Sequence, residues 1–332
     1  MKAGQSGFLG GGRSFPSVVK RHDGSKPVRG SGVSLSHSIF RNWQLYLFIL
    51  PAVAHIFIFK YLPIYGIRIA FTDGFTLDPE LSAPLWNNFA HFLRFVHSAF
   101  FWNLLRNTVF ISLYGLVLFP VPIILALLLN SVTNEWFKKT VQMATYAPYF
   151  ISSVVVVSML LVFLSPRNGV VNTFIKLLGQ APVNFFAEPA WGPTLYVLSD
   201  LWQTAGYNAI IYLAALSTVD LSSREAAYCD GANRFQIIWH VDLPWISSTV
   251  LILFLLRVGQ MLSMGFEKIL LMQNDLTLST MEVISTYVYK SGILNGQYDY
   301  ATAVGLIQAG VDFLILVTAN SIAKKVSGVS LW

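Results

Sequence analysis

Apolar residues run along this chain in blocks of about twenty, each long enough to cross about 30 Å of hydrocarbon as a helix. Six such spans are predicted, which makes the fold class all-α and polytopic. The first begins near Gln44 and passes through LYLFILPAVAHIFIFKYLPIYGIRIAF, and the others cover approximately residues 102–130, 141–164, 192–217, 246–271 and 301–323. Pro51 and Pro63 are expected to kink the first helix or end it early, because proline lacks an N–H and clashes with the preceding turn. Lys60 and Arg68 are placed to snorkel to the far interface. Residues 1–43 are polar, basic and rich in Gly and Ser, with no apolar core followed by a small-residue cleavage site. They read as a retained, disordered cytoplasmic tail, and residues 44–332 as one six-helix membrane domain.

Composition agrees with this pattern. The 332 residues are 55% hydrophobic and only 11% charged, where soluble domains carry about 25% charge. A single cysteine, Cys229, excludes a disulfide framework and a Cys-rich zinc site. The net charge of +6 is mostly an asymmetry between alternate loops. One set holds Lys2, Arg13, Lys20, Arg21, Lys26, Arg29, Arg41, Lys138, Lys139, Arg224, Arg234, Lys324 and Lys325, and the opposite set only Arg94, Arg167, Lys176 and Lys290. Because cytoplasmic flanks are enriched in Lys and Arg, both termini are expected inside. Charge of this kind is no argument for nucleic acid. The outward loops, residues 72–101, 165–191 and 272–300, are short for folded domains, so a large soluble receptor has to be a separate chain; VVNTFIKLLG within them suits a brief interfacial helix.

One polar interval stands apart, the loop at residues 218–245 with its core EAAYCDGANRFQIIWHVDLP. Ser222 is a candidate helix N-cap with Glu225 three residues on, the capping-box spacing. Gly231 suits the left-handed turn that ends such a helix, and the helical pattern resumes through Phe235, Ile238 and Trp239 towards Pro244. Small Ala226, Ala227 and Ala232 admit close approach of another backbone, while Phe235 and Ile238 offer apolar anchors of the helix-in-groove kind. The same pattern also fits an amphipathic helix pair lying on the membrane face of its own protein.

These residues resemble the cytoplasmic EAA loop of permease subunits from bacterial binding-protein-dependent ABC importers. Glu225, Ala226, Ala227, Asp230, Gly231, Ala232, Phe235, Ile238, Leu243 and Pro244 match its order of E-A-A, D-G-A, an aromatic, an aliphatic and L-P. IFKYLPIYGIRIAFTDG at 58–74 and the terminal SLW are similar to the sugar-permease branch that includes the maltose- and lipoprotein-type permeases. One departure is a later proline, absent from LPWISSTV. The resemblance implies a type I ABC importer permease fold in a bacterial inner membrane. It also implies a related second permease subunit, two cytoplasmic ATPase subunits that bind ATP and Mg, and a periplasmic or extracellular solute-binding protein. The loop would be the coupling helix seated in an ATPase cleft, with Glu225 as its charged contact. Ligands in this branch are sugars or oligosaccharides, and an alginate or oligouronide permease is the specific expectation.

The chain's own chemistry is consistent with a non-enzymatic subunit without cofactors. No G-x-x-x-x-G-K-[ST] occurs, and the early GFLGGGRS lacks the lysine that would hold phosphates. His37, His55, His91, His97 and His240 are scattered without metal-ligand spacing, and no G-x-S-x-G elbow is present. Polar groups inside spans are the best pointers to a solute path. Trp202, Gln203, Tyr207 and Asn208 cluster in the fourth span, with Gln260 in the fifth and Gln308 and Asp312 in the sixth. Rings present flat apolar faces to sugar C–H groups, and amides both donate to and accept from hydroxyls. The competing reading is that they bond neighbouring helices. Glu267 and Lys268, near the outer end of the fifth span, suit snorkelling, and Arg257 faces either a pore or a partner subunit. An ion-coupled secondary transporter is the alternative function, with Glu267 and Asp312 as its coupling carboxylates, although the paired repeats of such folds are not evident.

Overall fold

The computed structural model describes residues 43–77, 85–263 and 265–332, so all but the last residue of the expected basic tail lies outside the described residues. The chain divides into two units between Tyr61 and Leu62. The first contains α1 (Trp43–Ile56), with Pro51 inside it, and one turn of π-helix, Phe57–Tyr61. None of its described residues is buried, and an apolar helix exposed on every side is suited to hydrocarbon rather than water.

The second unit opens with a 3-10 segment, Leu62–Phe71. A stub hairpin follows, β1 (Thr72–Asp73) antiparallel to β2 (Leu85–Trp86), with Thr72 opposite Trp86. The rest is helical: α2 (Ala90–Val96), α3 (Phe101–Val117), α4 (Pro120–Ser131), α5 (Glu135–Tyr146), α6 (Ser153–Phe163), α7 (Val170–Leu177) and α8 (Gly192–Leu216). Then come α9 (Leu221–Cys229), α10 (Arg234–Ile237), α11 (Leu243–Val258), α12 (Phe266–Met272), α13 (Leu278–Met281), α14 (Ile284–Tyr289) and α15 (Tyr298–Ser327).

Among the described residues, four helical stretches are long and apolar enough to cross a membrane: Trp43–Phe71, Phe101–Ser131, Arg234–Val258 and Tyr298–Ser327. A fifth is reached if Glu135–Phe150 and Ser153–Phe163, bent by 102°, form one span. The bend follows Pro148, and the Ser152 hydroxyl receives the Val155 N–H to restart the helix. The fourth expected span, α8, is helical over 25 residues, long enough at about 1.5 Å per residue. Asp200, Gln203 and Asn208 dilute its apolar character, so length and apolarity alone do not give six.

The fifth expected span needs correction. The helix does not run over 246–271; it starts at Arg234, ends at Val258 and is followed by turns before α12. The backbone of this break is held from α15. Asp312 accepts the Leu262 N–H at 2.9 Å and the Ser263 hydroxyl at 2.6 Å, and Gln308 donates to the Leu262 carbonyl at 2.7 Å. The Ser112 hydroxyl donates to the Met261 carbonyl. Non-helical backbone at membrane depth is tolerated only where protein satisfies it, and the side chains of Asp312, Gln308 and Ser112 do so here. Gly265 restarts the chain at φ +73°, where a Cβ would also collide with the Tyr196 ring.

α8 is the central post. Its buried positions Tyr196, Ser199, Gln203, Gly206, Ala209, Tyr212 and Leu216 recur every three or four residues and form one helical stripe, with Val197 beside it. At one end Tyr196 and Val197 pack with Ile111, Val157, Ile269, Met272, Met281 and Val283. At the other, Ala209, Tyr212 and Leu216 pack with Ile123, Ala126, Leu127, Val219 and Ile246. Gly206 lets α5 approach so closely that a Cβ would fall 2.1 Å from the Thr145 carbonyl oxygen. In the segment 165–191, buried Asn172 donates to the Leu164, Ser165 and Val183 carbonyls and accepts the Val183 N–H at 2.7 Å, pinning α7 against its flanks.

Candidate functional site

The polar loop folds as a helix, a glycine bend and a second helix. α9 is capped by Asp220, not Ser222: Asp220 accepts the Ser222 N–H at 3.1 Å and the Ser222 hydroxyl. Asp brings a full negative charge to the exposed N–H groups and the positive end of the helix dipole, which a serine cannot. The two hydrogen bonds from Ser222 hold the Asp220 carboxyl below its ordinary pKa. Glu225 therefore takes no capping role and stands exposed a turn further on.

Gly231 has φ +81°. Its N–H donates to Tyr228 O at 3.0 Å, and the Ala232 N–H reaches Ala227 O at 2.9 Å. This is a Schellman ending, which satisfies the last carbonyls of α9 and reverses the chain. Asn233 and Gln236 form the capping box of α10, at 2.7 and 2.9 Å. α10 then runs through a π turn, Ile238–Asp242, into α11. Pro244 explains the widened turn, since its ring cannot sit against the carbonyl four residues back at normal helical pitch.

The loop divides into an anchored and an offered side. Ile238 and Leu243 pack against the core around Ile246 and Leu216. Glu225, Ala226, Asp230, Gly231 and Pro244 are exposed, Ala227 and Ala232 are half-buried, and Phe235 stands 80% exposed. A clamp that the sequence did not disclose fixes the pair of helices: Arg224 Nε donates to Asp242 Oδ1 at 2.8 Å, and its Nη2 lies 2.7 Å from the same oxygen. Asp242 is buried. The Trp245 indole N–H donates to Thr218 Oγ1 at 3.2 Å across the same junction. The 218–245 loop and the base of α11 are thus tied as one body.

Deeper in the bundle lies a cleft of about 200 Å³ between α3, α4, α8 and α11, lined by Tyr196, Asp200, Asn208, Tyr212, Arg257 and Gln260 among others. Of the path residues expected from sequence, Asn208 and Gln260 line this cleft. The others lie elsewhere. Gln203 donates to the Ile151 carbonyl at 2.6 Å and ties α8 to the bend before α6. Trp202 is half-exposed on the bundle surface. Tyr207 stacks on Tyr149 at 3.7 Å with nearly parallel rings. Gln308 and Asp312 clamp the helix break, so Asp312 is already engaged by two donors.

The expectation that Lys268 snorkels is also corrected: its side chain is buried, with Nζ 3.7 Å from Asp200 Oδ1. After the helix break α12 packs against α6, α8 and α14, which buries the Lys268 side chain among protein groups. Glu267 accepts from the Ser153 hydroxyl at 3.2 Å. Arg257 lines the cleft, 3.8 Å from Asp200 Oδ2. Asp200 was missed in the sequence because its partners lie 57 and 68 positions away; an ionisable residue in mid-span was the available signal.

An all-helical bundle with apolar membrane-crossing stretches, an internal cleft that carries a few charged and amide side chains, and an exposed polar loop defines a polytopic membrane transport subunit. Residues 119–327 match the family described as the binding-protein-dependent transport system inner membrane component. The chain is 40% identical to Protein LplB of Bacillus subtilis over 312 residues, 93% of this chain and 97% of that one. It is 42% identical to the polygalacturonan/rhamnogalacturonan transport system permease protein YteP of Bacillus subtilis over 282 residues, 85% and 88% of the two chains. Among solved structures it is similar to a bacterial ABC transporter involved in the import of the acidic polysaccharide alginate, with TM-score 0.80 and 37% identity over 88% of this chain and 99% of that one. The alginate transporter in complex with its alginate pentasaccharide-bound periplasmic protein gives a TM-score of 0.81 at 36% identity, covering 90% and 99%. The chain belongs to the family of binding-protein-dependent transport system inner membrane components, and its fold is that of the type I ABC importer permeases.

Proposed function

We propose that this chain is one permease subunit of an ATP-driven importer of acidic oligosaccharides, oligouronides of the alginate type in particular, and that its 218–245 loop is the element through which a cytoplasmic ATPase drives it. The observation that carries the reading is the loop's construction: its motif face is exposed, while Arg224–Asp242 and the Ile238 and Leu243 contacts make it rigid with α11. A lever needs both properties. Phe235 is the apolar anchor for the ATPase cleft and Glu225 its polar contact. The substrate class is supported by the named cargo of relatives that this chain resembles over most of its length.

In this account both termini are cytoplasmic, a second related permease completes the pathway, and a solute-binding protein delivers ligand from outside. Two ATPase subunits bind ATP and Mg, close, and draw the coupling loops together, which opens the cleft outward; hydrolysis resets it. Solute binding that favours one of the two states supplies the coupling.

Cys229 provides the test, since it is the chain's single cysteine and is exposed on α9. A cross-linker with one thiol-reactive and one photoactivatable end, attached to Cys229 in membranes co-expressing the partner permease and ATPase, should give an adduct between this chain and the ATPase. Absence of both the adduct and co-purification would remove the coupling role.

A further inference from the structure

Asp200, Arg257 and Lys268 make an unbalanced set at membrane depth. Two cations face one carboxylate, and neither reaches it at hydrogen-bond distance: Arg257 Nη2 stands at 3.8 Å and Lys268 Nζ at 3.7 Å. Lys268 is 96% buried, and its Nζ has no hydrogen-bond partner among the described residues. Glu267, next in sequence, is engaged by Ser153 and forms no ion pair with either cation among the described residues. Charge in hydrocarbon is costly unless paired or wet, so this trio carries an unmet demand for an anion. It borders the cleft: Asp200 and Arg257 line the wall together with Asn208 and Gln260.

We propose that Arg257 is the docking point for a substrate carboxylate within the membrane cleft, and that Asp200 is its stand-in when the cleft is empty. The geometry names the ligand class. Asp200 already faces the two cations as a carboxylate, so a uronate carboxylate suits the Arg257 side of the set, and the guanidinium fork donates two parallel hydrogen bonds to such a group. As a uronate engages Arg257, Asp200 keeps Lys268, and the total charge of the trio plus one carboxylate becomes zero. Asn208 and Gln260 supply the donors and acceptors that the neighbouring hydroxyls need. Loose contacts of 3.7–3.8 Å suit exchange, since a short bidentate pair would compete too well with passing solute. Asp200 and Lys268 are therefore positioning residues, and Arg257 the one that touches the ligand.

The proposal rests on the acidic-oligosaccharide reading above, and its test separates the two. The whole importer, with partner permease, ATPase and binding protein, is rebuilt in vesicles, and uptake of an oligouronide is compared with that of the same chain length after methyl esterification of its carboxyls. Wild type should prefer the free acid. Arg257→Gln should lower the acid-to-ester uptake ratio by about tenfold or more, the scale of a lost charged hydrogen bond, and Arg257→Lys should restore part of it. Lys268→Met should shift the ratio the same way by less. Equal loss of both substrates in Arg257→Gln, with no rescue by Lys, would make the residue structural and overturn the assignment. Wild-type vesicles that take up the ester as well as the acid, with a ratio unmoved by any variant, would also overturn it while leaving oligosaccharide import intact. Exclusion of the free acid by wild type would overturn the substrate reading itself, and the carboxylate site with it.

Discussion

Removing Arg224 should loosen the α9–α10 pair without touching its exposed face. Asp242 is 4% exposed, and in Arg224→Ala its carboxylate loses the one cation paired with it among the described residues. Stranding a buried partner costs about 3–5 kcal/mol. The Arg224 side chain keeps 21% of its exposure, so water offsets part of the loss, and the lower end, about 3 kcal/mol, is the appropriate figure. Hydrogen exchange reads this directly, because amides of α9 and α10 exchange through local opening. Their rates should rise roughly 100-fold, at 1.4 kcal/mol per decade, while those of α8 stay unchanged. Arg224→Met combined with Asp242→Leu should recover most of the protection, since removing both charges leaves neither unpaired. Unaltered exchange in Arg224→Ala, or a double variant as loose as the single one, would refute the clamp.

Two glycines should respond for opposite reasons. At Gly231 a Cβ meets open space, but φ is +81°, so Gly231→Ala costs only backbone strain of about 1 kcal/mol, measured by thermal unfolding. Gly231→Pro cannot adopt that φ and also loses the N–H to Tyr228 O, and should uncouple ATP hydrolysis from uptake. At Gly206 the obstacle is the Thr145 backbone, so Gly206→Ala should force α5 and α8 apart and cost about 1–3 kcal/mol of overpacking, seen as a lowered unfolding temperature. Asp220 titrates below its ordinary value when α9 is folded. Its capping contribution is therefore fully present above the unfolded pKa and is lost as pH falls through the folded one. Fraying of the first turn of α9, followed by exchange of its amides, should be flat from about pH 5 to 8 and increase below about pH 4.

The parts of this fold that follow from local chemistry were legible in the sequence, and the parts set by distant partners were not. The helix, Gly231 bend and second helix of the 218–245 loop are dictated within a few residues of each other, so spacing alone predicted them. The exact cap was misplaced by two residues because Asp220 and Ser222 are both good caps, and only the start of α9 decides between them. The break after Val258 was hidden because Gly259–Gly265 lies in an apolar run, and what stabilises it, Gln308 and Asp312, lies about fifty positions away. Those two residues, like Gln203, were recognised as polar groups at membrane depth, yet they bond backbone rather than line the cleft. Asn208 and Gln260 have the same composition signal and do line it. Residue type reveals that a membrane polar group needs a partner, and only the packing reveals whether that partner is protein or solute.

The most direct test of the central claim is ATP-driven uptake by vesicles holding this chain with its partner permease, ATPase and binding protein, compared between wild type and Glu225→Ala. Binding-protein-dependent oligouronide uptake is expected in wild type, and ATP hydrolysis without uptake in Glu225→Ala although the variant inserts and assembles. Equal uptake by the two would contradict the loop's role as the coupling element.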